Sequence, residues 1–196
     1  MRLLIAALLF LALASIRGDD GVTPFITDVK SELSPLQDIR IEQCFFRNHD
    51  HEVWLVSNRD PTTRKLLFTH QRWVEVLFSP DEHWLVINDH TGSGETRLRL
   101  FRQTAFLDYK QADDLTDRAW EFLAAKTHRK NPPGFDHSYA AALRWTADQT
   151  FIACLHGHID SRNHVSDWLC FYDTSSKTFS TDLDAHNNRQ VVLEPE

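Results

Sequence analysis

Apolar residues fall in short alternating or continuous runs cut by polar clusters, a pattern that predicts β-strands over most of the chain. The clearest series is Val74-Glu75-Val76-Leu77-Phe78, the turn Ser79-Pro80-Asp81-Glu82, then Trp84-Leu85-Val86-Ile87, the loop Thr91-Gly92-Ser93-Gly94-Glu95, and Arg97-Leu98-Arg99-Leu100-Phe101. A second series has the same order. It runs Ala142 to Trp145, Thr146-Ala147-Asp148-Gln149, Phe151 to Leu155, a polar loop, and Trp168 to Tyr172. A fainter one runs Ile39 to Phe46, Val53 to Val56, Asp60-Pro61-Thr62-Thr63, and Lys65 to Phe68. Folding each hairpin about its loop opposes Ser57 to Lys65, Ile87 to Arg99 and Cys154 to Cys170. The chain is therefore expected to be mainly β, with repeated antiparallel meanders, about three units, and ring closure left open. One helix is expected at about 114–130, where Leu115, Ala119, Phe122 and Leu123 share a face, acids (Asp113, Asp114, Asp117) cluster at its start and bases (Lys126, Arg129, Lys130) at its end, and Asn131-Pro132-Pro133-Gly134 stops it.

Phe78-Ser79-Pro80-Asp81-Glu82-His83-Trp84-Leu85-Val86, completed by Arg97 to Phe101, resembles a blade of the TolB-type and WD-like β-propeller repeats. The resemblance is clear over residues 74–102 and fainter over 41–68 and 139–173. Glu82 and Gln149 stand where those repeats carry Gly. It implies blade-like meanders that present loops to a partner. A blade takes about 40 to 45 residues and closed rings usually have at least four, so a stack of about three units fits this length better.

With 21 basic and 28 acidic residues the formal charge is −7, which argues against nonspecific nucleic-acid or anionic-membrane binding. Met1-Arg2, the apolar run Leu3 to Leu13 and the small residues Ala12 and Ala14 read as a signal peptide over 1–14, cleaved to leave one domain over 15–196. Such a run is too short for a permanent span. The expected location is therefore secreted or periplasmic. In that compartment a disulfide can form, and the hairpin folding favours Cys154 with Cys170 over Cys44.

The constellation that looks chemical is His156-Gly157-His158-Ile159-Asp160 with His164. It resembles the His-x-His-x-Asp-His motif of metallo-β-lactamase-fold hydrolases, but Ser161 replaces that motif's next His and little chain follows. Asn88-Asp89-His90 occupies the same slot in the middle series. Asn58-Arg59-Asp60 holds it in the fainter series, and a polar hairpin tip accounts for all three, so Asn88, Asp89, His90, His156, His158, Asp160 and His164 are expected as binding residues at loop tips and no metal or cofactor is expected. Trp54, Trp84, Trp145 and Trp168 hold repeat-equivalent strand positions and read as core; Trp73 and Trp120 are unconstrained. Ser79, Pro80, Asp81 and Asp148 read as structural turn residues. The functional expectation is a non-catalytic interaction module for a protein or envelope component. The alternatives are a metal-dependent hydrolase using the His156–Asp160 loop and a glycan-binding module.

Overall fold

Alternating runs close first into a four-stranded meander: β1 (Ile26–Leu33), β2 (Ile39–Phe46), β3 (His51–Ser57) and β4 (Arg64–His70), paired antiparallel in that order. The structure, a computed structural model, describes residues 26–47, 50–129, 134–182, 184–187 and 190–193. The expected signal peptide lies outside the described residues. A second meander follows: β5 (Trp73–Phe78), β6 (Trp84–His90), β7 (Glu95–Ala105) and β8 (Asp108–Asp114). After the helix α1 (Thr116–Lys126) comes the third: β9 (His137–Ala147), β10 (Thr150–Asp160), β11 (Asn163–Asp173) and β12 (Thr178–Ser180). The one-turn α2 (Asp184–Asn187) leads to β13 (Val191–Val192), which pairs with β11. The fold is mainly β, built from repeated antiparallel meanders, with one substantial helix among the described residues. No helix among the described residues is long and apolar enough to cross a membrane.

The meanders pack in series because the middle one is apolar on both faces. Leu85 and Ile87 of β6 join Ile39, Ile41, Val53 and Leu55 of the first meander in one core. Val86 of β6, with Leu98 and Leu100 of β7, joins a second core made with α1 and with Phe151, Ala153 and Leu155 of β10. Alternation along a strand sends successive side chains to opposite faces, so β6 serves both cores. The second and third meanders also share one corner, where β7 and β9 pair parallel through Glu95↔Ser138 and Thr96↔Tyr139. α1 covers the part of the third sheet that the second does not reach. Phe122 packs on Trp168 and Phe179, and Leu115, Ala119 and Leu123 are buried. It lies inside the expected span and ends in a Schellman motif: His128 takes φ 58°, and the amides of His128 and Arg129 bond the carbonyls of Ala125 and Ala124.

The first repeat begins one strand earlier than the sequence suggested. β1 ends at Ser34-Pro35-Leu36-Gln37, which folds as Ser79-Pro80-Asp81-Glu82 does. In the first turn the Ile39 amide donates to Ser34 Oγ at 3.1 Å and Gln37 has φ 62°; in the second the Trp84 amide donates to Ser79 Oγ at 3.0 Å and Glu82 has φ 60°. Both Ser amides bond the carbonyl five residues on, at 2.9 Å. Ile39–Phe46 is thus the second strand of its unit. Glu82 tolerates a backbone that favours Gly because its side chain ties the two turns together: Oε1 accepts the Leu36 amide at 2.7 Å, and its carbonyl accepts the buried Tyr109 hydroxyl.

Asp81 closes the second turn. Oδ1 accepts the Ser79 hydroxyl at 2.6 Å and the His83 amide at 3.1 Å, and Oδ2 lies 3.0 Å from His83 Nδ1. Burial works against its charge, yet the bonds from Ser79 and His83 outweigh it and hold the carboxyl below its ordinary range. Asp81→Ala is expected to lower stability by about 1 kcal/mol in urea melts. Asp148, read from the sequence as the matching turn residue, sits in a turn of a different kind, so the same effect is not expected there. There Ala147 opposes Thr150, so the turn holds only Asp148 and Gln149, and the Asp148 side chain is exposed.

Two of the three expected pairings shift. Ile87 opposes Arg99, but Lys65 opposes Leu55 in place of Ser57. Cys170 opposes Ala153, and Cys154 opposes Leu169. Because side chains alternate with a period of two, one residue of slip sends Cys154 and Cys170 to opposite faces. All three cysteines are free thiols. Of the tryptophans expected in the core, Trp168 is buried while Trp54, Trp84 and Trp145 are half-buried; Trp120 is buried and Trp73 exposed.

Candidate functional site

The residues expected at loop tips separate into two groups. Asn88, Asp89 and His90 end β6 inside the sheet. Asn88 is fully buried, its side chain bonding both the amide and the carbonyl of Ala142 at 2.8 Å and Glu75 Oε2 at 2.9 Å. It copies a strand pairing between β6 and β9 that the sheets do not make themselves. Asp89 is buried and paired to Arg99 at 2.9 Å. His90 stacks on Trp73, ring centroids 3.6 Å apart and planes 11° apart, with Nδ1 2.9 Å from the Thr96 hydroxyl. Asn88 and Asp89 thus hold sheets together and leave nothing at a tip to bind.

His156, His158 and His164 belong to a different surface. Along β10, Phe151, Ala153, Leu155 and Gly157 face the core, so Ile152, Cys154, His156 and His158 face outward. Register sets His137 of β9 and His164 of β11 on either side of His158, and Tyr139 beside His156. A row of three imidazoles therefore crosses the outer face of the third meander. The His137 and His158 rings stack with centroids 4.8 Å and planes 1° apart; His156 and His158 centroids lie 6.0 Å apart, Tyr139 and His156 5.9 Å. His164 Nδ1 is buried without a hydrogen-bond partner. Asp160 stands apart from the row, since its Oδ1 accepts the amides of Arg162 and Asn163 and closes the hairpin.

A bulge in β11 places Asp167, at φ 54°, over the same face. Its Oδ1 lies 3.9 Å from Cys154 Sγ and 3.8 Å from His156 Nδ1. Burial, reinforced by the Asp167 charge, pushes the Cys154 thiol up to about 12. A thiol so held is protonated at neutral pH and is a poor nucleophile. Sequence reasoning missed His137 and Tyr139. Their signal was the His-x-Tyr alternation on the strand before the His-x-His strand, and bulges in β9–β10 hide the register that joins them.

Histidines gather at the matching end of the first meander too. Phe45, His51 and His70 form a row, with His51 and His70 centroids 5.4 Å apart, and both ring nitrogens of His70 are buried without partners. Burial, aided by His51 and opposed by Asp50, pushes the His70 imidazole down to about 4 from an ordinary value near 6.5. Above pH 6.5 the ring is neutral folded and unfolded alike. Between pH 6.5 and 4 only the unfolded chain takes the proton, so stability falls with pH and the loss is complete below about 4. Acid titration of the melting midpoint should show a loss of about 2 to 3 kcal/mol across that window, absent in His70→Leu.

A cleft of about 740 Å³ opens elsewhere, between α1 and the β11–β13 region, lined by Phe122, Lys126, His128, Trp168, Asn187 and Val191. None of the binding residues expected from sequence lines it, although Trp168 and Phe122, read from sequence as packing residues, do. Comparison of the chain with protein-family models and with curated proteins finds no match.

Proposed function

We propose that this chain is an exported, non-catalytic interaction module of blade-like repeats, and that it recognises a protein partner through the outer face of its third meander. The observation that carries the reading is the contrast between the two end faces of the series. On the outer face of the first meander the aliphatic Val29, Leu33 and Leu66 are exposed, but its aromatic ring is taken up by charged neighbours: Arg40 pairs with Glu42 at 2.9 Å, Arg64 lies 4.3 Å over the Trp54 ring, and Trp54 Nε1 bonds Glu52 at 2.7 Å. The third meander instead presents half-buried Ile152, Leu169 and Phe171 beside imidazoles and Tyr139, with Leu143 52% exposed nearby. Aromatic and apolar groups bordered by polar ones are the composition of recognition surfaces. The Ser-Pro turn common to the first two meanders supports the likeness to propeller blades.

The glycan-binding alternative loses support at Trp73, one face of which is already covered by His90. The hydrolase alternative loses support at Asp160, which the hairpin turn occupies. Export rests on the Leu3–Leu13 run, and the N-terminus of exported protein should begin near Ser15. Affinity capture from envelope extract, with the chain as bait, should return a protein that Ile152→Glu no longer retains and Thr62→Glu, on the β3–β4 turn, still does. Equal retention by both variants would remove the assignment of this face.

A further inference from the structure

We propose that His137, His156 and His158 form a binding site for a divalent transition metal of the zinc, nickel or copper class. Neutral imidazole suits these ions, which sit about 2.0 to 2.1 Å from a ligating nitrogen. Opposed residues of an antiparallel pair carry Cβ atoms about 4.5 to 5.5 Å apart, a separation from which two imidazoles can reach one ion. His137 and His158 are opposed in this way, and His156 shares their face two residues along β10. The ring separations of 4.8 and 6.0 Å follow from that placement.

No three of these groups converge on one centre as they stand. The parallel stack of His137 on His158 must open by rotation of these two side chains, both half-buried on the outer face beside His156, whose side chain is 42% exposed. The backbone beneath is held: the Ser138 amide donates to the Gly94 carbonyl at 2.7 Å, and Gly157 packs against Phe135. Two further observations point to a ligand. Asp167 Oδ1 lies 3.8 Å from His156 Nδ1, beyond hydrogen-bond distance but near enough that rotation of either side chain brings the carboxylate onto that N–H, an arrangement that orients the ring and leaves Nε2 for the ion. His164, opposite His158 on the far flank, has a buried Nδ1 without a partner and stands where a fourth nitrogen would come from.

The inference does not rest on the docking reading, because its test uses the isolated chain. Untagged, chelator-treated protein is titrated with Zn²⁺ alone by calorimetry, and with Co²⁺ for the visible absorption of a tetrahedral site. One equivalent should bind, with Kd on the order of micromolar or tighter. His137→Ala and His158→Ala should each weaken it at least about tenfold, His156→Gln likewise, and Asp167→Asn, a positioning residue, about tenfold. His83→Ala, on a turn at the opposite end of its meander, should leave binding unchanged. Circular dichroism of each metal-free variant confirms folding, and His156→Gln provides the test if an alanine variant does not fold. Absence of saturable binding below about 100 μM, or equal binding by wild type and both alanine variants, would mean an adventitious ion only and overturn the site.

Discussion

Replacing Asn88 by leucine should cost about 3 to 4 kcal/mol of stability, although the exchange nearly preserves volume and puts an apolar side chain in an apolar place. Asn88 lies between the second and third meanders with no exposed surface and satisfies both main-chain groups of Ala142. Leucine leaves that amide and carbonyl buried without partners, and each orphaned group costs about 1 to 3 kcal/mol. Glu75 also loses its bond from Asn88 Nδ2. Urea denaturation should show the midpoint falling sharply. Ala142→Gly, which keeps the same main-chain groups, should cost only the ordinary price of a glycine in a strand, about 1 kcal/mol. A near-neutral Asn88→Leu would show that the two sheets do not depend on this side chain for their docking.

Gly157→Val should be nearly as severe, at about 3 kcal/mol. A Cβ built on Gly157 would stand 2.4 Å from Phe135 Cδ2 and 2.9 Å from Cε2. The Phe135 ring packs edge-on to Trp120 at 5.4 Å and against the second core, so it must leave apolar contact for any side chain to enter. Either the ring moves out or β10 shifts away from it, and both outcomes forfeit burial worth a large apolar side chain. A double-mutant cycle checks the cause. In a Phe135→Ala background Gly157→Val should cost far less than in the wild type, because the clash is gone. Additive costs would mean that Phe135 is not what confines position 157.

Strand order was readable where hydrophobic runs were strong and failed where strands lie at an edge. β1 and β8 read Ile-Thr-Asp-Val-Lys-Ser-Glu-Leu and Asp-Tyr-Lys-Gln-Ala-Asp-Asp, polar sequences that suit a strand with one free edge. Missing β1 displaced the first repeat by one strand and hid the kinship of Ser34-Pro35 with Ser79-Pro80. Register held for Ile87 and Arg99, whose strands pair without a bulge. It slipped for Cys154 and Cys170 because β10 and β11 close through a two-residue turn and bulges lie between Leu155 and Gly157 and between His158 and Asp160. The site was half legible for the same reason. His156 and His158 announce themselves by alternation on one strand, while His137 and Asp167 reach them only through bulges that the residue pattern does not encode.

Site-resolved photo-crosslinking tests the claim that the outer face of the third meander is the recognition surface. A photoreactive residue at Arg144, which is exposed and opposes outward-facing Ile152, should give an adduct with a captured partner protein in envelope extract. The same group at exposed Thr62 should give none. Adducts from position 62 with none from position 144 would contradict the account and place the partner on the opposite end of the series.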